Sequence, residues 1–328
     1  MLDRLRRPVS PAAYRRIAWV ALALLVLIVV TGAGVRLTGS GLGCTDWPNC
    51  TDEQFVAPME LHPMVEFVNR LVTGLVSAAV ALAVLGSLRR APRRRDLTWL
   101  SLGLVGGVLA QILVGRIVVV SHLNPWWVQT HMIVSLVLIA DAIVLAHRAG
   151  LPDDRPVRPA VTPALLRWGW VLVGAATVVV LTGTLVTGSG PHSGHNEEDV
   201  NQIRRLPIAV HDAARIHGIT VMAFLAVTVW VLVQVHRHHP KGPLRTSADF
   251  LLTLLVLQAA VGYAQYFTDL TPLLVGLHIL GACLVWCAAI AVLLRMRSPL
   301  ESATPAGPSW SGEPDARAVP RGDLVPGR

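Results

Sequence analysis

Residues 111–131 read QILVGRIVVVSHLNPWWVQTH, and residues 258–278 read QAAVGYAQYFTDLTPLLVGLH. At a shift of 147 residues, four positions of the first segment coincide with the second: Gln111, Gly115, Pro125 and His131 fall on Gln258, Gly262, Pro272 and His278. Such self-similarity at a fixed spacing predicts a duplicated structural unit. A histidine therefore occupies the same helical position in both copies.

A second correspondence extends the repeat toward the N-terminus. Residues 38–41, TGSG, recur as residues 187–190 at a shift of 149. Interpolation between the two shifts places Asn69 opposite His217 and Glu66 opposite Ala214. The two copies are thus predicted to carry comparable sites, with one histidine exchanged and a carboxylate in the first copy only.

The composition indicates an integral membrane protein. Of the 328 residues, 53% are hydrophobic and 15% are charged. Eight stretches are apolar over the roughly 18 or more residues that cross a bilayer as a helix. They lie near residues 17–37, 65–88, 97–120, 126–146, 165–187, 211–235, 249–268 and 272–295. The first stretch is expected to remain as a helix rather than to be cleaved as a signal peptide, because no small-residue cleavage site follows it.

The repeat and the spans together predict an all-α protein with eight transmembrane helices in two pseudo-symmetric four-helix bundles. The expected N-terminal half covers residues 1–150, and the C-terminal half covers residues 151–298. Residues 299–328 are rich in proline, glycine, serine and charge, a composition typical of a disordered tail.

The basic residues are distributed according to membrane topology. The formal net charge is +8, and 22 of the 28 lysines and arginines fall in the two termini and in the loops that follow the second, fourth and sixth spans. The positive-inside rule then places both termini in the cytoplasm, in a cell membrane. This pattern accounts for the basic excess without nucleic-acid binding.

Cys44 and Cys50 lie six residues apart in a loop that this topology places outside, where disulfides persist. A disulfide is the favoured interpretation. Two free thiols and a redox exchange pair are the alternatives.

Three histidines lie at a similar depth near the outer ends of even-numbered spans. They are His131 in the fourth span, His217 in the sixth and His278 in the eighth. A haem between helices needs axial imidazoles at similar height, which His217 and His278 supply in the second half. A buried histidine bonded to a neighbouring helix is the simpler alternative for each one alone. Zinc is disfavoured, because the first half offers too few clustered nitrogen and sulfur ligands.

Glu66 lies three residues before Asn69 and therefore on the same helical face. Two readings are open for this carboxylate. It forms a structural ion pair with Arg70 or Arg116, or it relays protons and stabilises charge beside a reacting group. Arg70 and Arg215 flank the sites as partners for haem propionates or for lipid phosphates.

These residues resemble the haem A synthases, which oxidise a methyl group of haem O to the formyl group of haem A. The likeness spans about residues 15–295. Its specific parts are TGAGVRLTGSGLGCTDWPNC at 31–50, Glu66 to Arg70, HLNPWW at 122–127, TGSGPHSG at 187–194, and GYAQYF at 262–267 followed by Leu277 and His278.

The resemblance implies a function for each half. His217 and His278 would ligate a b-type haem, the cofactor of the second half. The first half would hold the haem O substrate, with His131 as an iron ligand and Glu66 as the catalytic carboxylate. Cys44 and Cys50 match the family's outer-loop pair. A haem O synthase is an expected neighbour, and the electron donor is unidentified.

One position departs from the family. The usual pattern on the second helix is Glu-x-x-His-Arg, whereas this chain has Asn69 in place of the histidine. Two explanations compete. Either the substrate iron has His131 as its one protein ligand and Asn69 bonds a water or oxygen species, or His62, seven residues before Asn69 and on nearly the same helical face, reaches the iron. Loss of activity in the first half is a third reading. A membrane b-type cytochrome that only transfers electrons is the alternative function.

Overall fold

The computed structural model describes residues 8–44, 46–196 and 203–299. Within these residues, eight helices are long and apolar enough to cross a bilayer. They are α1 (Pro11–Leu37), α2 (Leu61–Arg89), α3 (Arg95–Val120), α4 (Pro125–Ala149), α5 (Pro163–Ser189), α6 (Val210–His238), α7 (Pro243–Phe267) and α8 (Pro272–Arg295). The predicted all-α membrane architecture with eight spans is confirmed.

Two short strands follow α4 and α8. They are β1 (Val157–Pro159) and β2 (Arg297–Pro299), and they pair antiparallel. The tail predicted for residues 299–328 therefore begins at the last residue of β2, and residues 300–328 lie outside the described part of the chain.

Capping residues set the starts of three helices. The side-chain oxygens of Ser10, Asn124 and Thr162 each accept a backbone N–H of the following helix at 3.1–3.3 Å. A proline follows each cap, at a position whose backbone N–H would have no helical partner. Helices α1, α4 and α5 therefore begin before the apolar stretches that predicted them, and α1 does so by six residues.

The helices pack as two rings of four. In the first ring, α1 contacts α2 and α4, and α3 contacts α2 and α4. The second ring has the same order, since α5 contacts α6 and α8, and α7 contacts α6 and α8. The even-numbered helices of each ring therefore stand diagonally across from each other. The exact residue boundaries of the two halves stay a prediction.

Contacts of α8 with α1 and α4, and of α5 with α4, join the rings. At the α4–α8 contact, the indole N–H of Trp286 donates to the carbonyl of Leu136 at 2.9 Å, with both groups buried.

The duplication is visible in the backbone of two outer turns. His122 and Leu123 have φ angles of 52° and 54°, and Asp269 and Leu270 have φ angles of 49° and 59°. Left-handed conformations are uncommon for residues other than glycine. The same pair therefore recurs at the 147-residue shift, immediately before α4 in one half and α8 in the other.

Candidate functional site

A cavity of about 580 Å³ opens inside the first ring. All four helices of that ring line it, together with the outer loop after α1 and part of α5. The site residues predicted for the first half, Glu66, Asn69, Arg70 and His131, all lie on its wall. The structure adds further polar residues to the wall: Arg36, Thr73, Ser77, Gln111, Gln129, Ser135, Thr184 and Thr187.

The predicted residues face one another across this cavity. Glu66, Asn69 and Arg70 belong to α2, whereas His131 belongs to α4, the helix diagonally opposite. A ligand in the cavity therefore lies between a carboxylate and a carboxamide on one side and an imidazole on the other.

His131 is held by α3. A Cβ added to Gly115 would lie 3.3 Å from the Cε1 atom of the His131 ring, so the ring rests on a glycine surface. The side chain of Gln111 donates to the backbone carbonyl of His131 at 3.1 Å. The ring atom Nδ1 is buried and has no hydrogen-bond partner among the described residues. Gln111 thus holds α4 at His131, while the Nδ1 atom of the imidazole has no protein partner among the described residues.

Glu66 connects α2 to the outer loop. One carboxylate oxygen accepts from the backbone N–H of Cys44 at 2.8 Å, and the other accepts from Arg70 at 2.7 Å. Arg70 also donates to the carbonyls of Asp46 and Asn49, at 3.1 and 2.9 Å. The ion pair that the sequence offered with Arg70 or Arg116 is therefore made with Arg70.

The loop that these groups hold is closed by a disulfide between Cys44 and Cys50, as predicted. Both cysteines are fully buried. Arg116 lies nearby, with its guanidinium carbon 5.9 Å from the ring centre of Trp47. The covalent ring thus presents one N–H and two carbonyl groups to the Glu66–Arg70 pair.

Asn69 has a partner of its own. The hydroxyl of Thr31 on α1 donates to the carboxamide oxygen of Asn69 at 2.8 Å. His62, the alternative iron ligand, lies 2.9 Å from the hydroxyl of Ser40 through its Nδ1 atom. Among the described residues that line the cavity, His62 is absent. Asn69, and not His62, therefore lies on the cavity wall together with His131.

The second ring brings His217 and His278 together from its diagonal helices, α6 and α8. The Nδ1 atom of His217 lies 3.1 Å from the hydroxyl of Thr182. The Nδ1 atom of His278 is buried and has no hydrogen-bond partner in the described part of the chain.

Each of these histidines also rests on a glycine. The Cβ position of Gly183 lies 3.3 Å from the Cε1 atom of His217, and that of Gly262 lies 3.5 Å from the Cε1 atom of His278. Gln258 donates to the carbonyl of His278 at 2.8 Å, which repeats the bond of Gln111 in the first ring. Glutamine, glycine and histidine therefore form one repeated supporting unit.

No group of three or more histidine, cysteine, aspartate or glutamate side chains that could hold a metal ion occurs in residues 8–44, 46–196 and 203–299. A haem iron requires only one or two protein ligands, because the porphyrin supplies the other four. The donor set of paired, partly unpartnered imidazoles fits a haem in the second ring.

Thr31 and Arg36 both fall within the motif at 31–50, but the sequence assigned neither of them a role. Thr31 bonds Asn69. Arg36 lines the cavity and donates to the carbonyl of Thr187 on α5. Arg215, in contrast, is exposed near the outer end of α6.

Comparison with known proteins agrees with this architecture. A sequence model of a family described as "Cytochrome oxidase assembly protein" matches residues 15–290. A protein of Bacillus cereus named "Heme A synthase" is 25% identical over 298 residues, which cover 88% of this chain and 96% of that protein. A protein of the same name from Staphylococcus saprophyticus is 23% identical over 288 residues, covering 85% and 94%. The resemblance found in the sequence is confirmed.

Proposed function

Because the chain belongs to the cytochrome oxidase assembly protein family, we propose that it is a haem A synthase, an oxidoreductase that converts a methyl group of haem O to a formyl group. The observation that carries the proposal is the first-ring cavity, which gathers Glu66, Asn69 and Arg70 opposite His131. Its volume of about 580 Å³ lies in the usual range of small-molecule sites, about 300–1,000 Å³.

The overall reaction is two successive two-electron oxidations of one methyl carbon, each of which adds one oxygen atom and requires an external oxidant. The first gives a hydroxymethyl group, and the second gives a geminal diol, which loses water to leave the aldehyde. For this chemistry the protein must orient the macrocycle, exclude bulk water and move protons at the reacting carbon.

In this proposal His131 binds the iron of the substrate through its accessible ring nitrogen. The glycine surface at Gly115 and the Gln111 bond set the position of that imidazole. Glu66 is the proton-handling carboxylate on the opposite wall, where Cys44 N–H and Arg70 hold both of its oxygens. Fixed carboxylates near a reacting group typically contribute about 10²–10⁴-fold in rate.

We assign the second ring to a resident b-type haem. His217 and His278 are the residues that would hold it, and the position of the two imidazoles on diagonal helices supports this assignment. When bound, the group supplies one-electron redox chemistry. Thr182 would fix the His217 ring by its contact at Nδ1, which leaves the other nitrogen available as a ligand.

Asn69 distinguishes this chain from the usual family pattern. Its carboxamide oxygen is engaged by Thr31, so the amide N–H groups are the part left to face the cavity. This arrangement supports a substrate iron with His131 as its one protein ligand and a hydrogen-bonding group across from it.

Eight apolar helices and the family membership together indicate a multi-pass membrane protein. The basic loops support a cell-membrane location with both termini in the cytoplasm. The proposal implies a haem O synthase as a functional neighbour, since its hydrophobic product is the substrate here.

The test is expression of the chain in a cell that makes haem O but no haem A. Extraction of the pigments and separation by mass should yield haem A with the chain and none with an empty vector. The alternative, a b-type cytochrome that transfers electrons without modifying haem, predicts unchanged haem O and haem b. That outcome would replace the proposed activity.

A further inference from the structure

Arg36 lies in the last turn of α1 and on the wall of the first-ring cavity. One of its N–H groups donates to the backbone carbonyl of Thr187 on α5. Its Nε atom is buried and has no hydrogen-bond partner in residues 8–44, 46–196 and 203–299. Among the ion pairs of the described residues, none involves Arg36.

The other arginine of the cavity has a different environment. Arg70 is neutralised by Glu66 and donates two further bonds to the outer loop. Among the described residues, Arg36 is therefore the arginine of the cavity wall that has no acidic partner. Burial of an uncompensated guanidinium is costly, since the charge loses its hydration and gains only one carbonyl in return.

The repeat shows that this cation is a property of the first ring. At the 149-residue shift, Arg36 corresponds to Leu185 on α5. The positive charge at this position is thus found in the half that contains the substrate cavity and not in the other half.

We infer that Arg36 binds a carboxylate of the ligand that occupies this cavity. The inference rests on the proposed function, because a haem substrate carries two propionate groups on an otherwise apolar macrocycle. An arginine forms strong charge-assisted bonds with carboxylates. The missing anion is then supplied by the ligand itself.

The position of Arg36 also determines the orientation of the ligand in the cavity. Arg36 is one residue from the end of α1, whereas His131 is the seventh residue of α4. At about 1.5 Å per residue, the imidazole lies several ångströms deeper from the outer end of the ring. The propionate edge would accordingly face the outer side, with the iron and the apolar substituents deeper in the membrane.

The experiment uses the full chain in detergent with its second-ring haem in place. Haem O and its dimethyl ester, which lacks both carboxylates, are titrated into the protein, and dissociation constants are measured from the Soret absorbance. Arg36→Met removes the charge at similar length. Arg204→Met is the matched control, because Arg204 is an exposed arginine in the outer loop between α5 and α6. His131→Ala reports whether the binding occurs in the first ring.

Wild type and the Arg204→Met control should bind the diacid on the order of 10- to 100-fold more tightly than the ester. In Arg36→Met most of that preference should disappear, through weaker binding of the diacid alone. Arg36→Lys should retain part of it, and this variant serves if Arg36→Met does not fold.

Equal weakening of both ligands in Arg36→Met would show that Arg36 acts only by joining α1 to α5. Equal affinity of wild type for diacid and ester, with binding still dependent on His131, would overturn the inference and leave the proposed function intact. Absence of any His131-dependent binding would overturn the proposed function, and the inference with it.

Discussion

Glu66→Gln separates the catalytic role proposed for this carboxylate from its role in holding the outer loop. The wild-type side chain accepts two bonds, from Cys44 N–H at 2.8 Å and from Arg70 at 2.7 Å. Glutamine has the same shape but keeps one acceptor, and its amide NH₂ then faces a donor. Loss of one charge-assisted bond at this buried position should cost about 1.5–3 kcal/mol.

The expected result is a modest loss of stability and a large loss of turnover. The melting temperature should fall by roughly 5 °C, so the variant remains folded at assay temperatures. Formation of haem A should fall by about 10²–10⁴-fold in kcat, because the residue can no longer exchange a proton. Bound haem should persist, since neither His131 nor the second ring is touched.

Arg70→Met is the comparison variant, because it removes more of the bonds that hold the outer loop to α2. It deletes the ion pair and both bonds to the carbonyls of Asp46 and Asn49, while Glu66 keeps its bond from Cys44. Its melting temperature should fall at least as far as that of Glu66→Gln. Its kcat at saturating haem O should nevertheless remain well above that of Glu66→Gln.

The assay measures melting in detergent and the yield of haem A per unit time at saturating substrate. If kcat simply follows the melting temperature through both variants, Glu66 acts by fixing the disulfide loop and the catalytic assignment is wrong. If kcat falls only in Glu66→Gln, loosening of the disulfide loop cannot be the cause, because Arg70→Met loosens that loop as well.

Four further substitutions, at three positions, test the imidazole sites. His278→Ala should abolish the low-spin b-type spectrum of the second ring, and survival of that spectrum would refute the ligand assignment. Asn69→His should convert the substrate iron from high to low spin, and an unchanged spectrum after haem O loading would mean that position 69 does not face the iron. Gly262→Ala should keep the b-type spectrum, since its Cβ would lie 3.5 Å from the His278 ring, an ordinary contact distance. The larger side chain of Gly262→Val should disturb that spectrum. Equal spectra for the two variants would show that the glycine contact does not position the ring.

The sequence was sufficient for the helices and the repeat because both depend on local, additive signals. Apolar length predicted all eight spans. The coincidence of Gln111 and His131 with Gln258 and His278 predicted a duplicated unit, and the structure shows the same glutamine-to-carbonyl bond in both copies. Some helices begin earlier in the chain than predicted; the first begins at Pro11 rather than near residue 17. Hydropathy does not register a polar cap and a proline that extend a helix beyond its apolar core.

The site was only partly predictable. The i, i+4 spacing placed Glu66 beside Arg70, which the structure contains. The bond from Cys44 N–H depends on how the outer loop folds back, and no local pattern encodes it. Arg36 meets Thr187, a residue 151 positions away in the other half, so its burial follows from the docking of the two rings. Such contacts become visible only when the tertiary packing is known.

The comparison of Asn69 with His217 argues that the first ring is adapted to the exchanged residue. In the second ring, His217 rests on Gly183 and contacts the hydroxyl of Thr182. At the 149-residue shift, Thr182 corresponds to Ala33, so the first ring lacks a hydroxyl where an imidazole would need one.

The first ring instead places a hydroxyl at Thr31, where it reaches the shorter carboxamide of Asn69 at 2.8 Å. Gly34, the counterpart of Gly183, has nothing within 4 Å of its Cβ position, so the space for a ring remains. The bond from Thr31 holds the Asn69 carboxamide in one orientation. It therefore supports a substrate site that uses a fixed hydrogen-bonding group, opposite His131, in place of a second iron ligand.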